Sequence, residues 1–221
     1  MGGGRHGYAV RRRLLRLARR TRVRQVAARL AGAGSAVSLV RFLTIAAVAV
    51  LALAGVGAWV VEEEPGWYLR TRYPLEYENV IRDHAASHHL DPALLAAVVY
   101  VESRFDPNAE SPAGAIGLMQ LLPGTAKGIA LRTGGDRFVV ADLRDPEINV
   151  RYGSWYLDHL TRRYDDLGTA LAAYHAGQGN VDEWLREGRA IEFPETRAYV
   201  DEVTRVTQVY AKAYASELGL L

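Results

Sequence analysis

An uncharged run of twenty residues, Phe42 to Val61, constrains the fold of this chain more than any other feature. Twenty apolar residues are about enough for a helix that crosses the hydrocarbon core of a bilayer. The run has no polar face, which argues against a buried helix of a soluble domain. We therefore predict a single transmembrane helix over 42–61. A cleaved signal peptide is the alternative, because Ala52-Leu53-Ala54 resembles a small-residue cleavage site.

The charge distribution predicts the orientation of that helix. Positions 1–41 contain eleven arginines and no acidic residue, which leaves 16 of the 27 basic residues against all 25 acidic residues in the remainder. Positive segments stay in the cytoplasm, so we expect a basic cytoplasmic segment over 1–41 and everything after Val61 outside the cell membrane. Aromatic residues for base stacking are nearly absent from that segment, so we expect no nucleic-acid partner. The basic segment suits a cytoplasmic partner, and the protein as a whole suits a cell-wall or secretion machinery partner, but no motif identifies either.

A short linker is predicted over 62–74, which holds three glutamates followed by Pro65, Gly66 and Pro74. At no more than about 3.5 Å per residue, thirteen residues reach at most roughly 45 Å from the bilayer. Trp59, Trp67 and Tyr68 suit the outer membrane interface.

A short helix beginning at Asp91 carries an acidic residue on its apolar face. Asp91 can cap this helix and Pro92 can open it, and its apolar residues recur at helical spacing. Glu102 falls seven residues after Leu95 and shares that face. Burial disfavours an ionised carboxylate, so Glu102 is a candidate general acid that keeps its proton near neutral pH. Alternatively, Glu102 marks the helix end and turns to water.

The segment after Glu102 is rich in turn formers and contains Gly114 and Gly117, which bracket small apolar residues. This pattern predicts backbone packed closely against a neighbour, with Gln120 as a neutral hydrogen-bonding group. His84 and His88 have a metal-compatible spacing, but no further ligand accompanies them. We therefore expect surface histidines and no metal site. The chain has no cysteine, which excludes disulfides, thiolate catalysis and cysteine-ligated metal.

The remaining patterns are helical. Amphipathic or capped segments are predicted near 77–88, 118–131, 145–164, 167–176, 181–186 and 195–218, with a loop over 132–143. No alternating strand pattern of useful length appears. The fold class is therefore all-α, with at most a small hairpin near 138–140.

Several of these segments closely resemble the signature of the soluble-lytic-transglycosylase (SLT) domain family, lysozyme-like enzymes that cut bacterial peptidoglycan. The resemblance covers roughly 73–210 and is carried by Glu102-Ser103-Arg104-Phe105-Asp106-Pro107-Asn108-Ala109, Ser111, Gly114-Ala115-Ile116-Gly117-Leu118-Met119-Gln120, Pro123-Gly124-Thr125-Ala126, Asn149, Gly153, Tyr156-Leu157, Ala170-Leu171-Ala172-Ala173-Tyr174-His175-Ala176-Gly177 and Glu195-Thr196-Arg197-Ala198-Tyr199-Val200. It implies a lysozyme-like SLT catalytic domain over 75–221, preceded by the transmembrane helix.

The resemblance also implies a reaction. Such a domain cleaves the β-1,4 bond between N-acetylmuramic acid and N-acetylglucosamine, with Glu102 as single general acid and base and the muramoyl C6 hydroxyl as nucleophile. The products carry 1,6-anhydro ends, and neither metal nor cofactor is needed. Asp106 and Glu110 are expected to be solvated loop acids. The alternatives are a lysozyme-type hydrolase, which shares the fold, and a membrane-tethered wall-binding scaffold with a degenerate site.

Site residues follow from the same resemblance, position by position. Ser111, Gln120 and Tyr174 match residues that line the sugar site, and Tyr174 is the expected hydrogen-bond partner of substrate or acid. Three further residues match positions near the site and have a packing or surface role as the alternative: Met119 and Leu122 as an apolar wall, and Glu195 near the muramoyl subsite. His175 stands where the family usually has asparagine, so its charging near pH 6.5 would add a pH dependence.

Overall fold

The computed structural model describes residues 41–60 and 62–221. Its first helix, α1, is Arg41–Val60 and is long and apolar enough to cross a membrane by length and composition. The large apolar side chains along it are exposed, Leu51 and Leu53 among them. The predicted basic segment lies outside the described residues except for Arg41, as does Val61 at the end of the predicted span.

A second compact unit, Pro65–Leu221, contains the rest of the described chain. Its helices are α2 Gly66–Arg72, α3 Glu78–Ser87, α4 Pro92–Ser103, α5 Pro123–Thr133, a 3₁₀ helix Val140–Arg144, α6 Pro146–Arg163, α7 Leu167–Ala176, α8 Gln178–Arg186 and α9 Pro194–Ala213. The described residues contain no strand, which confirms the all-α prediction. The small hairpin that the sequence allowed near 138–140 is absent from the described residues, because that segment leads into the 3₁₀ helix. The isolated bridges instead pair Glu110 with Ile116 and Ile116 with Leu121.

Helix α4 is the centre of this unit. The Asp91 side chain accepts a hydrogen bond from the Ala93 N–H and Pro92 occupies the first turn, as predicted. Every residue from Ala93 to Tyr100 is buried, with α9 packed along one side and α3 along another. A helix this apolar on all sides is stable only when neighbours enclose it. Its last turn therefore brings Glu102 into the interior.

Most of the segment expected to be a linker, residues 65–74, belongs to the compact unit instead. Helix α2 buries Leu69, which is 1% exposed, and packs against α9. Tyr210 donates its hydroxyl to the Pro74 carbonyl at 2.7 Å, and Tyr214 donates to the Tyr73 carbonyl at 2.9 Å. The proline and glycine pattern predicted a turn at 65–66 but could not reveal these long-range contacts.

Leu69→Ala is expected to destabilise the unit by about 2–5 kcal/mol, because it removes a fully buried leucine and leaves a cavity. Thr71→Ala on the exposed side of the same helix should change stability by less than about 0.5 kcal/mol. Denaturant unfolding of both variants measures the difference. Equal stabilities would mean that α2 is only a tether.

Two other expectations need correction. Helix α9 ends at Ala213 rather than 218, and the chain then turns so that Leu218 re-enters the core. His84 is not a surface histidine: it is 9% exposed, and its Nε2 lies 2.7 Å from Glu147 Oε1. This contact joins α3 to the first turn of α6. The two residues are 63 positions apart, so no local sequence pattern predicts it.

Candidate active site

One cavity of about 370 Å³ lies where the end of α4 meets α5, α6 and α7. The loop from Arg104 to Leu122 forms much of its wall. The lining residues are Glu102, Ser111, Ala113, Ala115, Gln120, Leu121, Leu122, Thr125, Tyr156, Tyr174, His175, Ala176 and Gly177. Among these described lining residues, Glu102 is the only carboxylate.

Burial gives Glu102 an unusual protonation equilibrium. Desolvation raises the pKa of its carboxyl to about 7, and the hydrogen bond from Tyr199 counteracts part of that rise. The Tyr199 hydroxyl donates to Glu102 Oε1 at 2.8 Å. A carboxyl whose pKa lies near neutrality can both give and take a proton at physiological pH.

Tyr199 is the functional residue that the sequence interpretation missed. Its position on the apolar face of α9 predicted a core side chain, and it is indeed 7% exposed. The hydroxyl nevertheless reaches a residue 97 positions away. The sequence signal for a functional role was that Tyr199 lies within Glu195-Thr196-Arg197-Ala198-Tyr199, one of the segments that carry the family resemblance. Burial raises the pKa of Tyr199 and of Tyr174 well above that of a free phenol, so both remain neutral donors.

Tyr174 lines the cavity close to Glu102, but its hydroxyl is engaged elsewhere. It donates to the Met119 carbonyl at 2.8 Å, and its ring packs against Tyr156 at a centroid distance of 5.5 Å. The Met119 side chain is fully buried outside the cavity lining. It packs so tightly on Gly153 that a Cβ there would lie 2.2 Å from Met119 Sδ.

The loop from Arg104 to Leu122, which we call the cavity loop, is held in place by hydrogen bonds with the buried side chain of Asn149 on α6. Its Oδ1 accepts from the Met119 N–H at 2.7 Å, and its Nδ2 donates to the carbonyls of Ile116 and Leu143. Ser103 donates its hydroxyl to the Leu118 carbonyl at 2.8 Å. Buried polar groups of the loop are thereby paired, which holds its backbone in one arrangement.

Gly117 allows this close approach. Its φ is +83°, and a Cβ at this position would lie 2.2 Å from both Asn149 Nδ2 and the Leu143 carbonyl oxygen. This confirms the prediction of closely packed backbone at Gly117. Gly114 also has a positive φ, but nothing lies within 4 Å of its Cβ position. Glycine is needed at Gly114 for conformation alone.

Gln120 and Ser111 both line the cavity and both brace the loop. The Gln120 amide donates to the carbonyls of Ala109 and Gly117, and Ser111 Oγ accepts from the Ala115 N–H at 3.0 Å. Leu122 lines the cavity at the start of α5 and is exposed. Tyr156 is a further lining residue, which the sequence interpretation named only as part of the family resemblance and not as a site residue.

His175 lies at the edge of the cavity and contacts α9. Its Nδ1 lies 3.0 Å from the buried Thr196 Oγ1, and its ring packs on Tyr199 at a centroid distance of 4.6 Å. Burial lowers the pKa of His175, while the nearby Glu195 opposes that shift. The pH dependence expected from His175 would therefore fall on the acidic side of pH 6.5. Glu195 itself is exposed and outside the cavity lining.

The two loop acids near Glu102 have other roles. Asp106 Oδ1 accepts from the Asn108 N–H at 2.8 Å, which forms a local turn. Glu110 forms an ion pair with Arg144 at 2.7 Å. Both side chains are exposed and neither lines the cavity, which agrees with their interpretation as loop acids.

Comparison with known proteins finds several relatives. The soluble lytic murein transglycosylase of Escherichia coli K12 is 32% identical over 155 residues, covering 65% of this chain and 24% of the relative. The membrane-bound lytic murein transglycosylase F of Desulfosudis oleivorans is 39% identical over 118 residues, covering 50% of this chain and 24% of the relative. The chain thus spans about a quarter of the length of these relatives.

The fold has solved counterparts as well. The crystal structure of the 70 kDa soluble lytic transglycosylase from Escherichia coli matches with a TM-score of 0.62 at 30% identity, covering 70% of this chain and 27% of that one. The model of the transglycosylase SLT domain matches residues 79–195, more than half of the chain. That match contains Glu102, the cavity loop and α7. The chain therefore belongs to the transglycosylase SLT domain family.

Proposed function

We propose that the protein is a membrane-anchored murein lytic transglycosylase, which cleaves the β-1,4 bond between N-acetylmuramic acid and N-acetylglucosamine in peptidoglycan. The observation that carries this proposal is a single carboxyl, Glu102, in the lining of the described cavity, with a pKa of about 7. Hydrolytic glycosidases ordinarily need two carboxyl groups across the scissile bond. A reaction whose nucleophile belongs to the substrate needs only one.

In the first step, protonated Glu102 gives its proton to the glycosidic oxygen, and the N-acetylglucosamine hydroxyl departs. Positive charge develops at the muramoyl anomeric carbon, where the substrate's own acetamido group can stabilise it. The ionised Glu102 left behind is stabilised by the hydrogen bond from Tyr199. Since Tyr199 is a neutral donor with a strongly raised pKa, it keeps its own proton throughout.

In the second step, the muramoyl C6 hydroxyl attacks the anomeric carbon and closes the 1,6-anhydro ring. Glu102 takes the hydroxyl proton and returns to its starting state, so no water is consumed. Attack within one bound sugar avoids the entropic cost of bringing in a second reactant. A water-excluding site favours this outcome, and the apolar lining from Leu121, Leu122 and Ala115 supports it.

The other site residues have supporting roles in this proposal. Ser111, Gln120 and His175 present polar groups to the sugars from the cavity wall. Leu122 gives an apolar contact. Tyr174 and Met119 have a positioning role, because the Tyr174 hydroxyl binds the Met119 carbonyl and thereby holds the cavity loop in place. Glu195, exposed and close to His175, would contact a more distant part of the muramoyl unit.

Tyr199→Phe is expected to move the alkaline limb of the kcat/KM profile upward by about one pH unit. Removing a hydrogen bond to the carboxylate destabilises the ionised form, so the pKa of Glu102 rises above about 7. Protonated acid then persists to higher pH. Tyr210→Phe on the same helix also loses one hydroxyl contact, to Pro74, and should leave the limb in place. A downward or absent shift in Tyr199→Phe would contradict this role for Tyr199.

Helix α1 supports a cell-membrane location. The eleven arginines of positions 1–41 favour an N-terminus in the cytoplasm and a catalytic unit outside. Because the chain has no cysteine, single cysteines can test this topology. Leu131→Cys, at a position 85% exposed, should react with a membrane-impermeant maleimide in intact cells whose outer layers are permeabilised. Ala18→Cys should react only after lysis. The reverse labelling pattern would overturn the orientation, and release of the protein by alkaline carbonate would overturn anchoring.

The activity is tested by mass spectrometry of the fragments that the full-length protein in detergent releases from purified peptidoglycan. We expect anhydromuramoyl ends, each lighter by one water than a reducing end, and about 10²–10⁴-fold fewer of them with Glu102→Gln. Reducing muramoyl ends would identify a lysozyme-type hydrolase. Binding of peptidoglycan without products would identify a wall-binding scaffold.

A further inference from the structure

The exposed tryptophans of the described chain lie on either side of one short segment. Trp59 in the last turn of α1 is 52% exposed, and Trp67 in the first turn of α2 is 61% exposed. Trp184 is buried in one core cluster, and Trp155 is partly buried against another. An indole ring has an apolar body and a polar N–H, which explains its enrichment at membrane interfaces.

Helix α2 has two faces of different character. Leu69 points into the unit, whereas Trp67 and Thr71 lie about opposite to it on the helical circumference. Arg72 lies within 3.4 Å of the Tyr68 hydroxyl, and none of the ion pairs among the described residues involves Arg72. Trp67, Tyr68 and Thr71 form what we call the α2 outer face, in which Tyr68 is half-buried. Arg72 lies at the edge of this face, with its guanidinium over the Tyr73 ring. An indole, a phenol and a guanidinium together match the chemistry of lipid headgroups above acyl chains.

Few residues connect α1 to α2 along the chain. Five residues separate Val60 from Gly66, so six steps of no more than about 3.5 Å each span at most about 21 Å. The Glu64 N–H donates to the Val60 carbonyl at 3.1 Å, a helical turn that shortens the reach further. The headgroup region on each side of a bilayer is about 5–7 Å deep. If α1 crosses the membrane, α2 begins within reach of that region.

We propose that α2 is an interfacial docking helix, whose outer face inserts into the headgroup region of the bilayer that α1 crosses. The proposal rests on the membrane anchoring proposed above. A single short helix binds lipid weakly, but α1 converts its binding into an intramolecular event at high effective concentration. Docking holds the catalytic unit at the membrane surface, so its substrate is the membrane-proximal glycan. The partner of this face is therefore lipid rather than another protein.

Spin labels on single cysteines test the proposal in the full-length protein reconstituted into vesicles of phosphatidylcholine and phosphatidylglycerol. Leu51→Cys reports on α1, Thr71→Cys on the α2 outer face, and Leu131→Cys on an exposed site of α5. Power saturation with oxygen and a water-soluble nickel complex measures the depth of each label. We expect hydrocarbon depth at 51, headgroup depth at 71 and bulk water at 131.

Trp67→Ala should move the 71 label to the water value found at 131, and Trp67→Phe should restore much of its depth. Turnover of soluble glycan strands should stay unchanged in both variants, since Trp67 is outside the cavity. A 71 label that matches the 131 label while the 51 label is in hydrocarbon would overturn docking and leave anchoring intact. A 51 label in water would overturn anchoring and docking together, and a 71 label unmoved by Trp67→Ala would overturn the insertion of this face.

Discussion

Glu102→Gln is expected to lower the release of anhydromuramoyl ends from purified peptidoglycan by about 10²–10⁴-fold, the usual contribution of a positioned general acid. Glutamine has nearly the shape of glutamate and its Oε1 can still accept the hydrogen bond from Tyr199. It cannot protonate the glycosidic oxygen or take up the C6 proton. Binding of glycan strands should therefore persist while kcat falls, and single-turnover assays separate the two.

The matched control is Glu110→Gln, which makes the same change in a loop acid eight residues later. Glu110 is ion-paired with Arg144 and lies outside the cavity lining, so its loss should leave kcat within about twofold. A loss in Glu110→Gln as large as that in Glu102→Gln would reveal a second catalytic carboxylate. The reaction would then be reassigned to a hydrolase of the two-carboxylate type.

The same Glu102→Gln variant should be more stable than the natural protein at alkaline pH. The pKa of Glu102 is about 7 in the folded protein against an unperturbed 4.5, so the folded state binds this proton more tightly. The stability it contributes is complete below about pH 4.5 and is lost as pH rises through about 7. From acid to alkaline pH, thermal unfolding should therefore shift in favour of Glu102→Gln by up to about 3 kcal/mol. A pH-independent difference would contradict the raised pKa.

Local chemistry explains what the sequence predicted well. A cap at Asp91, a proline at 92 and apolar residues at helical spacing act within a few positions, so α4 and the place of Glu102 on it follow from the sequence. The same holds for α6, where the Asp145 side chain accepts from the Ile148 N–H. The glycine pattern of the cavity loop predicted close backbone packing, which is correct at Gly117 and wrong at Gly114.

The failures involve partners distant in sequence. The Tyr199 contact with Glu102 spans 97 residues, and the His84 contact with Glu147 spans 63. Pro65 precedes helix α2 and Gly66 is its first residue, and both residue types locally favour a linker. The helix that contains Leu69 is stabilised by its packing against α9. Propensity and periodicity describe a segment by itself, whereas these features depend on which segments meet.

Gly117→Ala is expected to reduce both stability and activity strongly, whereas Gly114→Ala should not. Both positions have a positive φ, which costs alanine about 1–2 kcal/mol. Only at Gly117 would the new Cβ also lie 2.2 Å from Asn149 Nδ2 and from the Leu143 carbonyl oxygen. Such overpacking typically adds about 1–3 kcal/mol or more. Denaturant unfolding should therefore show about 2–5 kcal/mol lost in Gly117→Ala and about 1–2 in Gly114→Ala.

Activity should fall with Gly117→Ala even where the protein remains folded, because the displaced loop carries Gln120 and the Met119 carbonyl that Tyr174 binds. Asn149→Ala in the same background provides the decisive comparison. It costs stability by itself, since three buried hydrogen-bond partners lose the Asn149 amide. It also removes one of the two groups that the new methyl meets, so the double variant should be more stable than the sum of the single losses predicts. If the stability losses of the two single variants simply add in the double variant, or if Gly114→Ala and Gly117→Ala are equally stable, the loop backbone shifts to make room for the new methyl group. The Asn149 contact would then not determine the shape of the site.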